Sequence, residues 1–365
     1  MRIRPRVLAA ALTAALAVTL LAPAAPGQAA TADRWGFAYV DDPMVAAWTN
    51  LDTSRQWGSW KTAFPASLAQ GRRVAPGRFQ VRFPHLGTGS RGNVHVTPVN
   101  RTGHYCEIVR WLQSGTDEIV DVQCHAPGGA RDDTRFTVLW TYSSGVLPAN
   151  SGSYASLQYG AGGIVQAYNS TGGGVSVTPG VGAYQVRLGG VGSADGLAGN
   201  LQVTAVQPNA APRRCKVNYW YAAGLDIIAY VLCLDSTGAP TNTEFTLSYH
   251  RERAVIASFG PPKYTGYVWS GGGGETNFNY PAGGFGFNGL AAVAPAGRYI
   301  VKYPLLGEKE THAQVTGYGP GANYCHLTQP WLIHPGGDAE VDVLCFDNTG
   351  TPAPHRVLST FTSRI

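Results

Sequence analysis

The sequence predicts an all-β fold of three tandem β-sandwich or jelly-roll-like domains, each with one hairpin disulfide. Three observations support this prediction: the composition, an internal threefold repeat, and one pair of cysteines in each repeat. The 365 residues include 47 glycines and 24 prolines, and only 13% are charged. Together with many Tyr, Trp, Val and Thr residues, this composition favours short strands joined by turns over helices.

The repeat has a period close to 110 residues and covers nearly all of the chain after residue 30. Its first block places an aromatic residue, a valine and a base on one strand, in "GRFQVR", "GAYQVR" and "GRYIVK". Its second block ends in Val-Thr, in "NVHVT", "NLQVT" and "HAQVT". A period of this length suits a complete small domain better than a solenoid unit. We therefore expect domains at residues 31–147, 148–252 and 253–365.

A cysteine, a tryptophan and a second cysteine follow in every repeat. In the first repeat, strand alternation places Ile108 on the face of Cys106, and Val122 on the face of Cys124, while Asp121 points away. The residues between the two strands, "SGTDE", are typical of a turn. These features predict three hairpin disulfides: Cys106–Cys124, Cys215–Cys233 and Cys325–Cys345.

Other uses of the cysteines fit the spacing poorly. A structural zinc site needs four ligands, commonly from cysteine pairs two to four residues apart, and a redox pair needs CxxC. Neither pattern occurs in the sequence. We expect no metal and no cofactor.

The first 30 residues predict a secretory signal peptide. Three arginines precede an apolar run from Val7 to Leu21, which ends before prolines at positions 23 and 26. The run is shorter than the roughly 20 residues of a membrane span. Cleavage removes three of 27 basic residues and leaves 24 against 22 acidic ones. We expect an extracellular monomer with no nucleic-acid partner and, after cleavage, no membrane partner.

The repeated strands, the cysteine hairpin with its tryptophan and a closing Phe-Thr-x-x-[Trp/Tyr] strand resemble a known type of repeat. They are similar to the roughly 100-residue repeats of secreted proteins from high-GC Gram-positive bacteria. The resemblance covers nearly all of the mature chain, and it implies no catalytic or binding residue. The third repeat departs from the pattern at Val357, where the others have Phe, and by one extra residue between Cys325 and Trp331.

Two further recurring residues have structural interpretations. An aspartate lies seven residues before each second cysteine, and we expect it to bond the backbone of its own turn, because calcium would need six to eight oxygen ligands. These aspartates are Asp117, Asp226 and Asp338. The recurring tryptophans, which we expect to pack inside each domain, are Trp111, Trp220 and Trp331.

Function is less well defined by the sequence. No HExxH, GxSxG or phosphate-binding loop occurs in a supporting context. The leading interpretation is a secreted, non-catalytic protein that binds polysaccharide or a cell-wall surface. One alternative is a structural or protein-interaction repeat without a small ligand. The other is a secreted carbohydrate-active enzyme, recognisable by clustered acids or a histidine–acid pair in a cleft.

Aromatic residues that occur in one repeat only are the candidates for ligand binding, because the shared fold does not require them. The first repeat has Trp57 and Trp60 in a long insertion, and the third has Trp269 and Tyr280 in a glycine-rich segment. We expect these four side chains to form exposed patches that bind polymer. The alternative is that the segments cover a sheet edge or a seam between domains.

Overall fold

The computed structural model describes residues 33–145, 152–209 and 211–365. The predicted signal peptide and the predicted boundary between the first two domains lie outside these ranges. Strands contain 54% of the residues and helices 2%, which confirms the all-β prediction.

Repeat 1 contains nine strands and one short 3-10 helix, Ser59–Thr62. Its strands are β1 (Arg34–Val40), β2 (Thr49–Asn50), β3 (Trp57–Gly58), β4 (Gln70–Ala75), β5 (Arg78–Phe83), β6 (Asn93–Val99), β7 (Tyr105–Ser114), β8 (Asp117–His125) and β9 (Arg135–Tyr142). Repeat 2 contains β10 (Ser153–Gly160), β11 (Gly163–Asn169), β12 (Val175–Pro179), β13 (Ala183–Leu188), β14 (Asn200–Val206), β15 (Arg213–Ala223), β16 (Asp226–Asp235) and β17 (Glu244–Arg251).

Repeat 3 contains ten strands and the 3-10 helix Gly274–Thr276. Its strands are β18 (Thr265–Trp269), β19 (Asn277–Asn279), β20 (Gly284–Phe285), β21 (Gly289–Val293), β22 (Arg298–Tyr303), β23 (Thr311–Tyr318), β24 (Tyr324–Leu327), β25 (Leu332–Ile333), β26 (Ala339–Phe346) and β27 (Arg356–Ser363).

These strands form three nine-stranded sheets, and two repeats contribute to each sheet. Sheet A joins repeats 3 and 1 in the order β21-β22-β26-β24-β6-β9-β1-β3, with β25 on β26. Sheet B joins repeats 2 and 1 in the order β11-β10-β17-β14-β7-β8-β5-β4-β2. Sheet C joins repeats 2 and 3 in the order β12-β13-β16-β15-β23-β27-β18-β19-β20. The three repeats therefore close into a ring around a pseudo-threefold axis.

Each junction of the ring is a parallel contact between a Val-Thr strand and the first cysteine strand of another repeat. The contacts pair β6 with β24, β14 with β7, and β23 with β15. One equivalent backbone hydrogen bond closes each junction: Asn100 N to Leu327 O at 2.9 Å, Gln207 N to Ile108 O at 2.7 Å, and Gly319 N to Val217 O at 2.9 Å.

The recurring Val-Thr pair has a role at the axis. The hydroxyl of each threonine accepts a hydrogen bond from the backbone N–H of the equivalent valine in another repeat. The donor and acceptor pairs are Val96 and Thr204 at 3.3 Å, Val203 and Thr316 at 3.1 Å, and Val315 and Thr97 at 3.2 Å. Because a buried N–H without a partner is costly, this cyclic set explains why threonine recurs at the position.

Each repeat also has a hydrophobic core, to which another repeat contributes one or two buried residues: Val206 in the core of repeat 1, Tyr318 and Leu358 in that of repeat 2, and Tyr39 and Val99 in that of repeat 3. The recurring tryptophans are buried in these cores, as expected. The three predicted disulfides are confirmed, and each joins residues directly opposite each other on adjacent antiparallel strands, with Cα–Cα distances of 4.0, 4.1 and 3.9 Å. Three such bonds indicate a protein that folds outside the reducing cytoplasm. Among the described residues, none forms a helix long and apolar enough to cross a membrane.

The recurring aspartates do not bond their own turns, so that expectation is wrong. Each accepts the backbone N–H of a residue just after the first repeated strand: His85 at 3.0 Å, Gly190 at 2.9 Å and Leu305 at 3.1 Å. All three of these residues have positive φ angles, between 59° and 71°. The carboxylate therefore holds an adjacent loop in a conformation that few side chains favour.

The interior around the axis is polar. His95, His250 and His312 are fully buried there, and Ser248 contacts His95 Nε2 at 2.8 Å while Thr137 contacts His312 Nδ1 at 2.7 Å. Burial lowers the pKa of each of these histidines to about 3, so all three are neutral at physiological pH.

Candidate functional site

Trp60 is not on the surface, so the expectation that it forms an exposed patch is wrong. It is 3% exposed, packs near Phe83 at a centroid distance of 6.1 Å, and donates from Nε1 to Ser67 O at 3.0 Å. Gly36 and Gly58 give the ring its space, since a Cβ on either residue would lie within 2.6 Å of it. Trp60 is part of the core of repeat 1.

Trp57 and Trp269 are partly buried. Neither presents to polymer the open face that we expected of it. Trp57 lies on β3, the edge strand of sheet A, where Lys61 and Arg364 lie 5.3 and 5.1 Å from its ring. Trp269 contacts Trp220 of repeat 2 at 6.0 Å and packs against the core of that repeat. These rings cover an edge and a seam, which was the alternative interpretation.

Tyr280 is the one of the four that is exposed, at 43%. It belongs to an aromatic loop, residues 278–287, in which Phe285 and Phe287 are also exposed, and Tyr280 and Phe285 contact the buried Phe278. Lys263 lies 6.0 Å from the Tyr280 ring. The loop stands at the β20 edge of sheet C.

A second exposed aromatic cluster lies on the outer face of repeat 2, and the sequence analysis missed it. We call it the tyrosine row: Tyr219 and Tyr221 on β15, and Tyr230 between them on β16. Tyr219 stacks on Tyr230 with centroids 4.0 Å apart, and Tyr221 stacks on the other side at 6.5 Å. Tyr219 is 42% exposed and Tyr221 43% exposed. Within the described chain, no other ring or cation contacts Tyr219 or Tyr221.

A β-bulge directs the row outward. The register of β15 against β16 shifts between Val217 and Tyr219, so the strand has one extra residue there. Val217 points into the core, and without the bulge Tyr219 would share its side of the sheet. The extra residue reverses this alternation, so that Tyr219 and Tyr221 face solvent while Trp220 fills the core.

Repeat 2 is the only repeat with aromatic residues at these positions. The equivalents of Tyr230 are Asp121 and Asp342, and both are paired with arginines. Arg110 Nε lies 2.8 Å from Asp121, and Arg298 Nη2 lies 2.7 Å from Asp342. Repeats 1 and 3 adopt the same fold with an ion pair at the position of Tyr230. Folding therefore does not require the three tyrosines in repeat 2.

Polar groups border the row. Gln185 is the cross-strand neighbour of Tyr230 on β13, and Arg187 forms an ion pair with Asp226 at 2.5 Å. The pKa of Tyr230 is raised, mainly by hydrogen bonding to Tyr219, and burial raises that of Tyr221. Their hydroxyls therefore remain protonated at neutral pH. The surface combines the edges of three stacked rings, the outer faces of the Tyr219 and Tyr221 rings, phenolic donors and a charged rim.

Two histidine–acid pairs occur in repeat 1. Glu107 accepts from His125 Nε2 at 3.0 Å, but both side chains are fully buried, which leaves no access for a substrate. His104 is closer to the surface: its Nε2 lies 2.9 Å from Asp132 and its Nδ1 lies 2.7 Å from the Thr102 hydroxyl. Thr102 lines an open cleft of about 650 Å³ between repeats 1 and 3. The described residues contain no group of three or more His, Cys, Asp or Glu that could hold a metal.

Comparison with known proteins does not identify the chain. No protein-family model, no curated protein and no solved structure matches it.

Proposed function

We propose that this is a secreted protein that binds polysaccharide through the tyrosine row of repeat 2. The observation that carries the proposal is the exposed row itself, which occurs where the other repeats have ion pairs. Sugars offer apolar C–H faces and many hydroxyls, so aromatic rings beside hydrogen-bonding groups suit them. The row lies on paired strands, so little ordering would accompany binding. The three disulfides support an extracellular setting.

The three nearly parallel rings form a line on the surface, and a linear arrangement favours an extended ligand. A polymer that follows the row from Tyr221 to Tyr219 meets the rings in sequence, and the Arg187–Asp226 pair and Gln185 lie beside it. The aromatic loop around Tyr280 offers a second contact surface of similar chemistry. Two surfaces on one polymer would raise the apparent affinity through effective concentration.

Replacement of ring residues in the row tests the proposal. We expect Tyr219→Ala, Tyr221→Ala and Tyr230→Ala each to weaken binding at least about 5-fold, roughly 1 kcal/mol, because central aromatic residues dominate interface energies. Binding is measured as depletion of the protein onto cellulose, chitin, xylan and purified cell-wall sacculi. Phe64→Ala, an exposed aromatic residue of repeat 1, is the control and should bind normally.

The other repeats supply a sharper variant. The double change Tyr219→Arg and Tyr230→Asp copies the Arg110–Asp121 pair of repeat 1 onto repeat 2, so the fold should tolerate it. We expect unchanged thermal unfolding and lost binding. Normal binding by this variant would show that the row is not the site, and the Tyr280→Ala variant would then test the aromatic loop.

The Thr102, His104 and Asp132 arrangement favours a second candidate function, hydrolysis of small esters. The hydrogen bond to His104 lowers the pKa of Asp132, which keeps this carboxylate charged and able to orient the imidazole. His104 Nδ1 would take the Thr102 proton as Oγ1 attacks an acyl carbon, and would return it to the departing alcohol. Water, deprotonated by His104, would then release the acid and restore Thr102.

This candidate predicts acetate release from acetylated xylan and hydrolysis of p-nitrophenyl acetate. Thr102→Val and His104→Gln should each lower the rate about 100-fold or more, because a general base alone contributes about 10²- to 10⁴-fold. His85→Gln, a change in another partly buried histidine of the same repeat, is the control. Equal rates in the Thr102→Val variant and the parent would exclude Thr102 as a nucleophile.

A further inference from the structure

A cavity of about 60 Å³ lies where the three repeats meet beside the first cysteine of each hairpin. Equivalent residues from all three repeats line it, which places the cavity on the pseudo-threefold axis. They include the three first cysteines, the residues that precede them (Tyr105, Arg214 and Tyr324), and the residues that follow the Val-Thr pairs (Pro98, Ala205 and Gly317).

Arg214 breaks the symmetry of this cavity, because repeats 1 and 3 have tyrosine at its position. The guanidinium is 7% exposed and lies between those two rings, with its Cζ 4.7 Å from the Tyr105 centroid and 4.3 Å from the Tyr324 centroid. Nη2 donates to Asn348 Oδ1. Nε and Nη1 are buried, and no group of the described chain accepts a hydrogen bond from them. A buried charge with two unsatisfied donors is unfavourable unless an acceptor compensates it.

The rest of the lining offers further donors and no acid. The Tyr105 hydroxyl and His326 Nε2 are also buried without a partner in the described chain. Lys216 lines the cavity too, but its ammonium contacts three groups outside the lining: Asn323 O at 2.9 Å, His355 Nε2 at 3.0 Å and Pro320 O at 3.3 Å. No aspartate or glutamate is among the described lining residues. Glu107, the equivalent of Lys216, accepts from Gln123 and His125 instead.

The lining therefore carries the positive charge of Arg214 and no negatively charged side chain among its described residues. Burial, assisted by the charge of Arg214, lowers the pKa of Lys216 to about 7. The charge of Arg214, which disfavours a second cation here, favours an anion, whereas burial alone disfavours a charge of either sign. The volume exceeds the 10–15 Å³ or so that one water molecule requires, and it is too small for a sugar ring.

We propose that this axial cavity binds one small monovalent anion, a halide or a planar oxyanion, with Arg214 and the Tyr105 hydroxyl as its donors. The site is assembled only when the three repeats close into the ring, since each contributes to the lining. An anion bound there would stabilise the closed ring. The inference is independent of glycan binding, because the tyrosine row lies on the outer face of repeat 2.

Thermal unfolding of the full mature chain tests the inference. Sodium chloride, bromide or nitrate is titrated at constant ionic strength, with sodium gluconate as the balancing salt, because gluconate is too large for the cavity. We expect a saturable rise of several degrees in Tm. Arg214→Met should abolish the rise, whereas Arg110→Met, which removes an exposed guanidinium, should leave it intact.

Two further measurements keep the test decisive if Arg214→Met folds poorly. Tyr105→Phe removes one donor and keeps the ring, so it should raise the halide concentration for half-maximal effect several-fold. In crystals grown with bromide, we expect an anomalous peak within hydrogen-bonding distance of Arg214 Nε or Nη1. A rise in Tm that is not saturable, an unchanged response in Tyr105→Phe, or bromide only on the outer surface would each overturn the proposal.

Discussion

Acidification from pH 6 to pH 4 is expected to unfold this protein cooperatively, while it remains stable near neutral pH. The cause is the set of buried histidines. Burial lowers the pKa of His95, His250, His312 and the partly buried His355 from 6.5 to about 3, and that of His326 to about 4. A histidine with a lowered pKa binds its proton only after unfolding. Its contribution to stability is present above pH 6.5 and is lost as the pH falls towards the folded-state value.

Two buried carboxyls act in the opposite direction. Burial raises the pKa of Glu107 to about 7 and that of Glu118 to about 8, so the folded state holds these protons where the unfolded state, with a pKa of 4.5, releases them. Between about pH 6 and 4.5, five histidines gain protons on unfolding and two glutamates lose them. The net uptake of about three protons lowers the unfolding free energy by about 4 kcal/mol per pH unit, and the slope steepens below pH 4.5.

The chain itself supplies conservative variants for this test. Gln202 and Gln314 occupy the position of His95, and Asn93 and Asn200 occupy that of His312, so His95→Gln and His312→Asn copy residues that the axis already accommodates. Urea unfolding of the double variant at several pH values should show a slope lower by about two protons, which leaves about one proton between pH 6 and 4.5. His85→Gln, whose histidine is not on the axis, should keep the parent slope. A double variant with the parent slope would contradict this account of acid unfolding.

Loss of the disulfides should have the second large effect. Each closes a loop between residues 18 or 20 positions apart, which by chain entropy is worth roughly 3 kcal/mol. Loss of all three would remove about 9 kcal/mol, within the range of about 5–15 kcal/mol that is typical of total stability. We expect paired Cys106→Ala and Cys124→Ala changes to lower Tm by about 5 °C or more, and removal of all three pairs to leave the protein unfolded or barely folded at 37 °C.

A control must separate the direct effect of the reducing agent on Tm from the effect of losing the disulfide bonds. Dithiothreitol should lower the Tm of the parent protein after free thiols are confirmed, and it should not change the Tm of the variant without cysteines. A parent melting curve that is unchanged under full reduction would show that the sheets alone hold the ring together.

Local patterns were sufficient for much of the fold. The strand composition, the alternation around Cys106 and Cys124 and the glycine-rich turns predicted the all-β class and three disulfides, because each depends on contacts within one hairpin. The candidate binding site was harder to predict from the sequence. Tyr280 is exposed as expected, but Trp60 is core, because Gly36 and Gly58 leave space for its ring on a neighbouring strand. The sequence did contain a signal for the tyrosine row, because tyrosines lie on both sides of the recurring Trp220. The signal was not sufficient, because a β-bulge in the folded strand decides which way Tyr219 points.

By itself the sequence determined an all-β chain of three similar repeats, each with one hairpin disulfide. The tertiary structure alone decided that every sheet is shared by two repeats, because the parallel junctions join strands about 100 or more residues apart, such as Val206 with Ile108. It also decided the environments of Arg214 and the axial histidines. A polar residue on a strand is expected to face solvent when only its own repeat is considered. These residues are buried because the polar faces of three repeats close on one another around a common axis.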